Sequence, residues 1–134
     1  MNRINYSAKR EAIYKILRST DTHPDADWVY NEVKKEFPNI SLGTVYRNIV
    51  MLKNEGKLKS LGVVKGCERF EANLHPHAHF VCSRCGRIID VGKSFAVHID
   101  YLNELVEKEL GAVVEGNDLA FFGVCDLCIN DSEE

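Results

Sequence analysis

Apolar residues between positions 7 and 54 recur at spacings of three and four, the periodicity of helices with one buried face. A polar residue precedes each of three such stretches and is a candidate N-cap: Ser7, Asp25 and Ser41. The positions predicted to face the core are Ile13, Ile16 and Leu17 in the first helix, Trp28, Val29, Val33 and Phe37 in the second, and Leu42, Val45, Ile49 and Leu52 in the third. The pattern therefore predicts three short helices that share a core.

Two strand-like stretches follow, over residues 58–64 and 67–72, with Lys65-Gly66 between them as a two-residue hairpin signal. Three helices closed by a hairpin predict a winged helix, whose third helix enters the major groove of DNA. The candidate DNA-binding residues are Thr44, Tyr46 and Arg47 on that helix and Lys65 at the hairpin tip. The alternative is a small helical domain whose polar face is merely solvated.

The second half of the chain mixes short strands with one helix. Strands are predicted over residues 79–81, 87–91, 112–114 and 119–124, and the helix over 97–110 with an apolar stripe of Ile99, Leu102, Val106 and Leu110. A domain this small tends to bury such a stripe in a dimer. The predicted fold is α+β, with a winged-helix DNA-binding domain at 1–72 and a small α/β metal-binding dimerisation domain at 73–134.

Composition and charge narrow the function. A chain of 134 residues with 45% hydrophobic residues holds one ordinary core or two very small ones, which excludes a large multidomain enzyme. No apolar run is long enough to span a membrane, and the first residues do not read as a secretory signal, so we expect a cytoplasmic protein with no membrane partner. Residues 1–72 carry 13 basic and 9 acidic side chains, against 4 and 11 in residues 73–134, so only the first half suits a polyanion.

Four of the five cysteines form two matched pairs, Cys82-x-x-Cys85 and Cys125-x-x-Cys128. Two such pairs supply the four thiolates of a tetrahedral structural zinc site, Zn²⁺ being held by Cys82, Cys85, Cys125 and Cys128. Two redox-active dithiols are the alternative interpretation. Cys67 stands alone, either as a small buried residue or as a thiol sensor near the hairpin.

Histidines and carboxylates indicate a second metal site. His77 and His79 share one face if their segment is extended, and Glu71 and Asp90 lie nearby in sequence. Imidazole with carboxylate suits Fe²⁺, Mn²⁺ or Zn²⁺ rather than Ca²⁺ or Mg²⁺. His98, alone on the late helix, is expected to be an ordinary surface or core residue.

These motifs together resemble the ferric uptake regulator (Fur) superfamily over nearly the whole chain. The matching segments are Ser41-Leu42-Gly43-Thr44-Val45-Tyr46-Arg47-Asn48, Arg69-Phe70-Glu71, His77-Ala78-His79, Cys82-Ser83-Arg84-Cys85-Gly86 and Cys125-Asp126-Leu127-Cys128. The resemblance implies a homodimeric, metal-dependent transcriptional repressor that binds double-stranded operator DNA. It also implies a regulatory site for Fe²⁺ or Mn²⁺ formed by His23, Glu71, His77, His79 and Asp90.

Within that superfamily the chain is similar to the peroxide-stress (PerR) branch, because it has Asp90 and lacks additional regulatory ligands. The branch implies that bound Fe²⁺ reacts with hydrogen peroxide and that His23 and His77 are oxidised. Glu71 departs from the branch, which has Asp at that position, and resembles iron-uptake members instead. An iron-responsive regulator is therefore the alternative, with a zinc or manganese uptake regulator behind it.

Other functional classes are less well supported. The sequence contains no His-Glu-x-x-His or Gly-x-Ser-x-Gly motif, and four paired thiolates would close their zinc, so we expect neither an enzyme nor a small organic substrate. A metallochaperone that does not bind DNA would leave the helix bearing Tyr46 and Arg47 without a role.

Overall fold

The computed structural model describes residues 2–74, 77–92 and 95–131. The chain divides into two compact units, Met1–Leu74 and His75–Glu134. The first consists of helices followed by a hairpin and the second of short strands and helices, so the predicted α+β class is confirmed. No helix among the described residues is long and apolar enough to cross a membrane.

The first unit contains α1 (Asn2–Arg18), α2 (Ala26–Val33), α3 (Leu42–Asn54), β1 (Lys59–Val64) and β2 (Cys67–Glu71). The two strands pair antiparallel, with Val64 opposite Cys67. Lys65 and Gly66 connect them with φ of 51° and 82°. Two consecutive residues with positive φ form the turn that matches the twist of a two-residue hairpin, as the sequence predicted.

Side-chain caps start two of these helices where they were predicted. Asp25 accepts a hydrogen bond from the Trp28 backbone N–H at 2.8 Å, and Ser41 accepts one from that of Thr44 at 3.1 Å. The prediction that Ser7 is an N-cap was wrong, because α1 begins at Asn2 and Ser7 lies inside it. Residues 2–6 contain neither proline nor glycine, so nothing local ends the helix at Ser7.

The three helices and the hairpin enclose one hydrophobic core. Its fully buried members include Ile13, Val29, Val33, Val45, Ile49, Leu52 and Phe70. Trp28 and Leu42, predicted to be part of it, are each 37% exposed. Trp28 lies beside the buried stripe of Ala26, Val29 and Val33 on α2, and Leu42 is the first residue of α3, before that helix reaches the core.

The second unit contains β3 (His79–Cys82), β4 (Ile88–Asp90), α4 (Ala96–Leu110), β5 (Ala120–Gly123) and α5 (Asp126–Asp131). Its three strands are ordered β4-β3-β5, with β3 antiparallel to β4 and parallel to β5. Residues 112–114 do not form the predicted strand, because Gly111 ends α4 at φ 66° and the Val114 N–H donates to Glu107 Oε2 at 3.0 Å instead.

Most of the predicted apolar stripe on α4 is exposed in this chain. Ile99 is buried at 2% exposure, whereas Leu102, Val106 and Leu110 are 41%, 45% and 72% exposed. The apolar stripe is present on α4, but within a single chain most of its side chains remain exposed to solvent. Exposed apolar area of this extent on one helix is typical of a surface that a partner covers.

Candidate metal centres and nucleic-acid interface

The four paired cysteines converge on one point of the second unit. Cys82 ends β3 and Cys85 lies in the turn that follows, while Cys125 directly precedes α5 and Cys128 lies in its first turn. The Cys82 and Cys128 sulfurs are 3.8 Å apart, as are those of Cys85 and Cys125, and all four lie within 4.8 Å of one another. Zinc–sulfur bonds of about 2.3 Å give a tetrahedron with edges of about 3.8 Å. The four sulfurs therefore fit one zinc ion better than two independent dithiols.

Backbone amides already favour thiolate at this cluster. The N–H groups of Cys85 and Cys125 each donate to Cys82 Sγ at 3.4 Å. These bonds lower the pKa of Cys82 to about 5. The backbone of Cys128 likewise lowers the pKa of Cys125, whereas the hydrogen bond to Cys125 raises the pKa of Cys128 to about 12. The backbone hydrogen bonds therefore favour the thiolate form of Cys82 and Cys125, which is the form of sulfur that binds zinc.

A histidine and a carboxylate form a buried pair inside the first unit. His23 and Glu71 are 2% and 5% exposed, and His23 Nε2 lies 3.1 Å from Glu71 Oε1. The other oxygen of Glu71, Oε2, lies 3.7 Å from Nζ of Lys59, its partner across the hairpin. A buried imidazole beside a carboxylate is a pair of ligands that Fe²⁺, Mn²⁺ or Zn²⁺ accepts.

The hairpin holds the backbone of His23 in an uncommon conformation. His23 has φ of 55°, in the left-handed region that non-glycine residues seldom adopt. The Arg69 guanidinium donates to the carbonyls of His23 and Thr22, and the Phe70 N–H donates to that of Pro24 at 3.0 Å. Sequence reasoning assigned no role to Arg69. Arg69 lies two residues before the candidate ligand Glu71, which was the one indication of a role in the sequence. Its contact with His23, 46 positions away, cannot be predicted from the spacing of residues.

Two histidines and an aspartate converge in the second unit. His79 lies opposite Asp90 in the β3–β4 register, and His77 precedes β3 by two positions. Each histidine places Nε2 at 3.3 Å from Asp90 Oδ1, and the two rings are 4.4 Å apart between centroids. The structure thus confirms that His77 and His79 share a face.

The spacing of these donor atoms suits metal ligation as well as hydrogen bonding. Metal–ligand bonds of about 2.1 Å place neighbouring ligand atoms roughly 3.0 to 3.4 Å apart, depending on the coordination number. The separations of 3.1 Å in the first unit and 3.3 Å in the second lie in that range. Each unit therefore carries a group of side chains that could contribute to a metal site.

Of the four predicted DNA-binding residues, Tyr46, Arg47 and Lys65 are exposed on the first unit, and Thr44 is half-buried. On α3, Tyr46 is 47% exposed, Arg47 is exposed, and Arg47 Nη2 donates to Thr44 Oγ1 at 3.0 Å. Lys65 is exposed at the hairpin turn. Lys53 Nζ, on α3, donates to Glu68 Oε2 on β2 at 3.3 Å, which ties the helix to the hairpin. The arrangement presents a helix and a wing with polar and basic side chains to solvent.

Two isolated residues take no part in these groups. His98 is exposed on α4, with its ring centroid 5.9 Å from that of Phe95. Cys67 is half-buried. Desolvation is the main cause that raises the pKa of its thiol, and a hydrogen bond to the Asp25 side chain raises it further. A raised pKa keeps Cys67 as a thiol at neutral pH, which does not suit a fast-reacting thiol sensor.

Comparisons with known proteins agree with this geometry. The model of the Ferric uptake regulator family matches residues 2–122. The chain is 32% identical to the peroxide-responsive repressor PerR of Staphylococcus epidermidis, over 93% of this chain and 81% of that protein. Among solved structures it is similar to the Campylobacter jejuni peroxide stress regulator, with a TM-score of 0.83, 31% identity and coverage of 95% and 93%. It is also similar to the structure of the Helicobacter pylori ferric uptake regulator Fur, which is described as having three functional metal binding sites. The TM-score is 0.79 and the identity 27%, over 91% of this chain and 80% of that chain.

Proposed function

The chain belongs to the ferric uptake regulator family, and we propose that it is a metal-dependent transcriptional repressor that hydrogen peroxide inactivates. The observation that carries the proposal is that one chain contains both a winged helix and histidine and carboxylate side chains arranged as metal ligands. Each unit holds imidazole and carboxylate groups whose donor atoms are separated by the distances expected of metal ligands. One sequence relative is a peroxide-responsive repressor, and one structure with a similar fold is a peroxide stress regulator. A cytoplasmic location follows from the proposed contact with operator DNA.

The first unit is the proposed DNA-binding domain. Its third helix would enter the major groove, with Thr44, Tyr46 and Arg47 against bases and phosphates and Lys65 near the backbone. The exposure of Tyr46, Arg47 and Lys65 and the excess of basic residues in this half of the chain support that assignment.

The second unit is the proposed dimerisation domain. Its exposed apolar side chains include Val97, Leu102, Val106, Leu110 and Phe122. A second copy of the chain would cover this surface, and a two-fold dimer would present two recognition helices to a palindromic operator.

One regulatory ion is proposed to join the two units through His23 and Glu71 of the first and His77, His79 and Asp90 of the second. Such an ion restricts the relation between the DNA-binding and dimerisation domains, because it is bound only when both sets of ligands reach it. Metal would therefore favour the arrangement that fits DNA. Zinc on the four cysteines is assigned a structural role, because four protein ligands leave no open position.

Peroxide sensing is proposed to act on the ligands themselves. Fe²⁺, if held by these five side chains, would supply the electron that reduces hydrogen peroxide, whereas Mn²⁺ would not do so readily. His23 and His77 are the proposed targets, and an oxidised imidazole is a poorer ligand. Loss of a ligand releases the link between the domains, and the repressor leaves DNA.

An iron-responsive regulator is the second candidate, and Glu71 is the observation that favours it. The longer carboxylate reaches His23 at 3.1 Å. It could also fill the coordination position that peroxide would need. Similarity to the Helicobacter pylori Fur structure is compatible with this alternative.

Peptide mass spectrometry separates the two candidates. Zinc-containing protein is loaded anaerobically with Fe²⁺ or, as the control, with Mn²⁺, and exposed to a low dose of hydrogen peroxide. Trypsin isolates His23 in the peptide from Ser19 to Lys34 and His77 in that from Phe70 to Arg84. Peroxide sensing predicts addition of one oxygen to either histidine in the iron sample alone. Unmodified histidines with DNA binding retained would overturn it in favour of iron sensing.

A further inference from the structure

One polar residue lies among the buried apolar side chains of α3 in the first unit. Asn48 is 1% exposed and lies on the same face of the helix as the buried residues Val45 and Leu52. Asparagine is a poor helix former, and burial of its amide is costly unless the amide makes hydrogen bonds. An apolar residue at this position would avoid both costs. The hydrogen bonds of Asn48 are therefore the feature that needs an explanation.

The Asn48 amide connects two helices. Its Nδ2 donates to the Thr44 carbonyl, one turn earlier on α3, at 2.9 Å. Its Oδ1 accepts from Arg10 Nε on α1 at 3.4 Å, and Arg10 Nη2 donates to the Met51 sulfur, also on α3, at 3.5 Å. Arg10 is half-buried and lies one turn before the buried Ile13 on the same face of α1. One guanidinium of α1 thus contacts two side chains that lie one turn apart on α3.

The same hydrogen bonds lead to the side chains that are proposed to contact DNA. Thr44, whose carbonyl accepts from Asn48, also accepts from Arg47 Nη2 through its Oγ1 at 3.0 Å. Tyr46 and Arg47 directly precede Asn48 in the chain and are exposed to solvent. Since α3 is a single helix, a rotation or shift at Asn48 would move both exposed side chains relative to bound DNA.

We propose that Arg10 is a positioning residue for α3: its hydrogen bond to Asn48 fixes how that helix is rotated against α1, and thereby where the exposed side chains of α3 meet the bases. The proposal rests on the proposed binding of DNA by the first unit. Apolar side chains can pack in alternative arrangements, whereas a buried hydrogen bond forms in few of them. A buried asparagine sets the register of paired helices in coiled coils for this reason. Arg10 therefore determines the sequence specificity of DNA binding.

Discrimination between two duplexes measures this role. Full-length protein supplied with zinc and Mn²⁺ first selects a preferred duplex from a random pool, and a shuffled duplex of the same composition is the non-specific probe. Fluorescence anisotropy gives both affinities. We expect Arg10→Met to lower the ratio of specific to non-specific affinity about tenfold. Lys15→Met, at an exposed lysine of the same helix, is the matched control and should keep the unmodified ratio.

Salt dependence separates positioning from a direct contact with DNA. If the Arg10 side chain neutralised a phosphate, Arg10→Met would weaken binding to both duplexes equally and reduce the slope of log affinity against log salt by about one. That result would overturn the proposal. A positioning role leaves the slope at the value of the unmodified protein and changes the ratio of the two affinities instead.

Removal of both partners separates positioning from a contribution to stability alone. Arg10→Met leaves the Asn48 oxygen buried without this donor, which destabilises the first unit. The double variant Arg10→Met/Asn48→Leu has no such oxygen, so its thermal stability should return toward that of the unmodified protein, which covers the case in which Arg10→Met folds poorly. Positioning predicts that discrimination stays about tenfold low in the double variant. Discrimination that recovers together with stability would contradict the proposal.

The selection step distinguishes failure of this proposal from failure of the proposed function. If the unmodified protein enriches no sequence from the random pool, specific DNA binding is refuted and the role of Arg10 with it. If a duplex is selected and discrimination is the same in Arg10→Met and Lys15→Met, the role of Arg10 alone is refuted.

Discussion

The His23 imidazole lies 3.1 Å from the Glu71 carboxylate, and both side chains are almost completely buried in the first unit. Burial makes this pair costly to separate, because a buried charge or imidazole loses its compensation when its partner is removed. Lys59 lies 3.7 Å from the same carboxylate on its other side. Glu71 and Lys59 both lie on the β1–β2 hairpin, which is also the proposed DNA-contacting wing.

His23→Ala should weaken metal-dependent DNA binding at least about tenfold while zinc content stays unchanged. The variant removes one ligand of the proposed regulatory ion and leaves the four cysteines of the other unit untouched. Fluorescence anisotropy with labelled operator DNA at increasing Mn²⁺ measures the effect. His98→Ala, on the exposed surface of α4, serves as the control. An unchanged Mn²⁺ response in His23→Ala would be incompatible with the proposed regulatory link.

Glu71→Asp should increase the rate at which peroxide oxidises the iron-loaded protein. The shorter carboxylate would withdraw by one methylene and so leave room for peroxide beside the metal ion that these residues are proposed to hold. The same peptide assay, run as a time course on the variant and the unmodified chain, measures the rate. Equal rates in the two proteins would show that the length of this side chain does not set peroxide sensitivity.

Arg69→Ala should lower the affinity for Mn²⁺ by about tenfold, because His23 loses the side chain that fixes its carbonyl and that of Thr22. The Mn²⁺ affinity of Arg69→Lys should lie between those of Arg69→Ala and the unmodified chain, since one ammonium group cannot reproduce the two hydrogen bonds that the guanidinium donates. Competition with a fluorescent chelator gives the affinities, and zinc content reports on folding of the second unit. An unchanged Mn²⁺ affinity in Arg69→Ala would mean that the hydrogen bonds from Arg69 are not needed to position His23.

Arg47→Ala should weaken binding to duplex DNA and reduce the slope of log affinity against log salt by about one for each phosphate that the side chain neutralises. Arg47 is exposed on α3, where the winged-helix interpretation places DNA. Lys35→Ala, at an exposed lysine paired with Glu32, is the matched control. A salt titration of anisotropy separates the two variants. Equally weakened binding in both would indicate general charge attraction rather than contact through α3.

Local chemistry in the sequence determined much of the molecule. Spacings of three and four set the buried faces of α1 to α3, and Lys65-Gly66 set the hairpin, because periodicity and turn preference act between near neighbours. The two cysteine pairs likewise predicted a zinc site, since their ligand type and spacing are specific. Local pattern failed where an apolar residue lies at the edge of a buried stripe, as with Trp28 and Leu42.

The tertiary structure alone decided which distant residues meet. His23 and Glu71 are 48 positions apart, and Arg87 and Asp126 are 39 apart. The strand register places His79 opposite Asp90, whereas a shift of one residue would point these side chains to opposite faces. Such contacts depend on how helices and strands pack over the whole unit, and packing is a cooperative property that no short segment encodes.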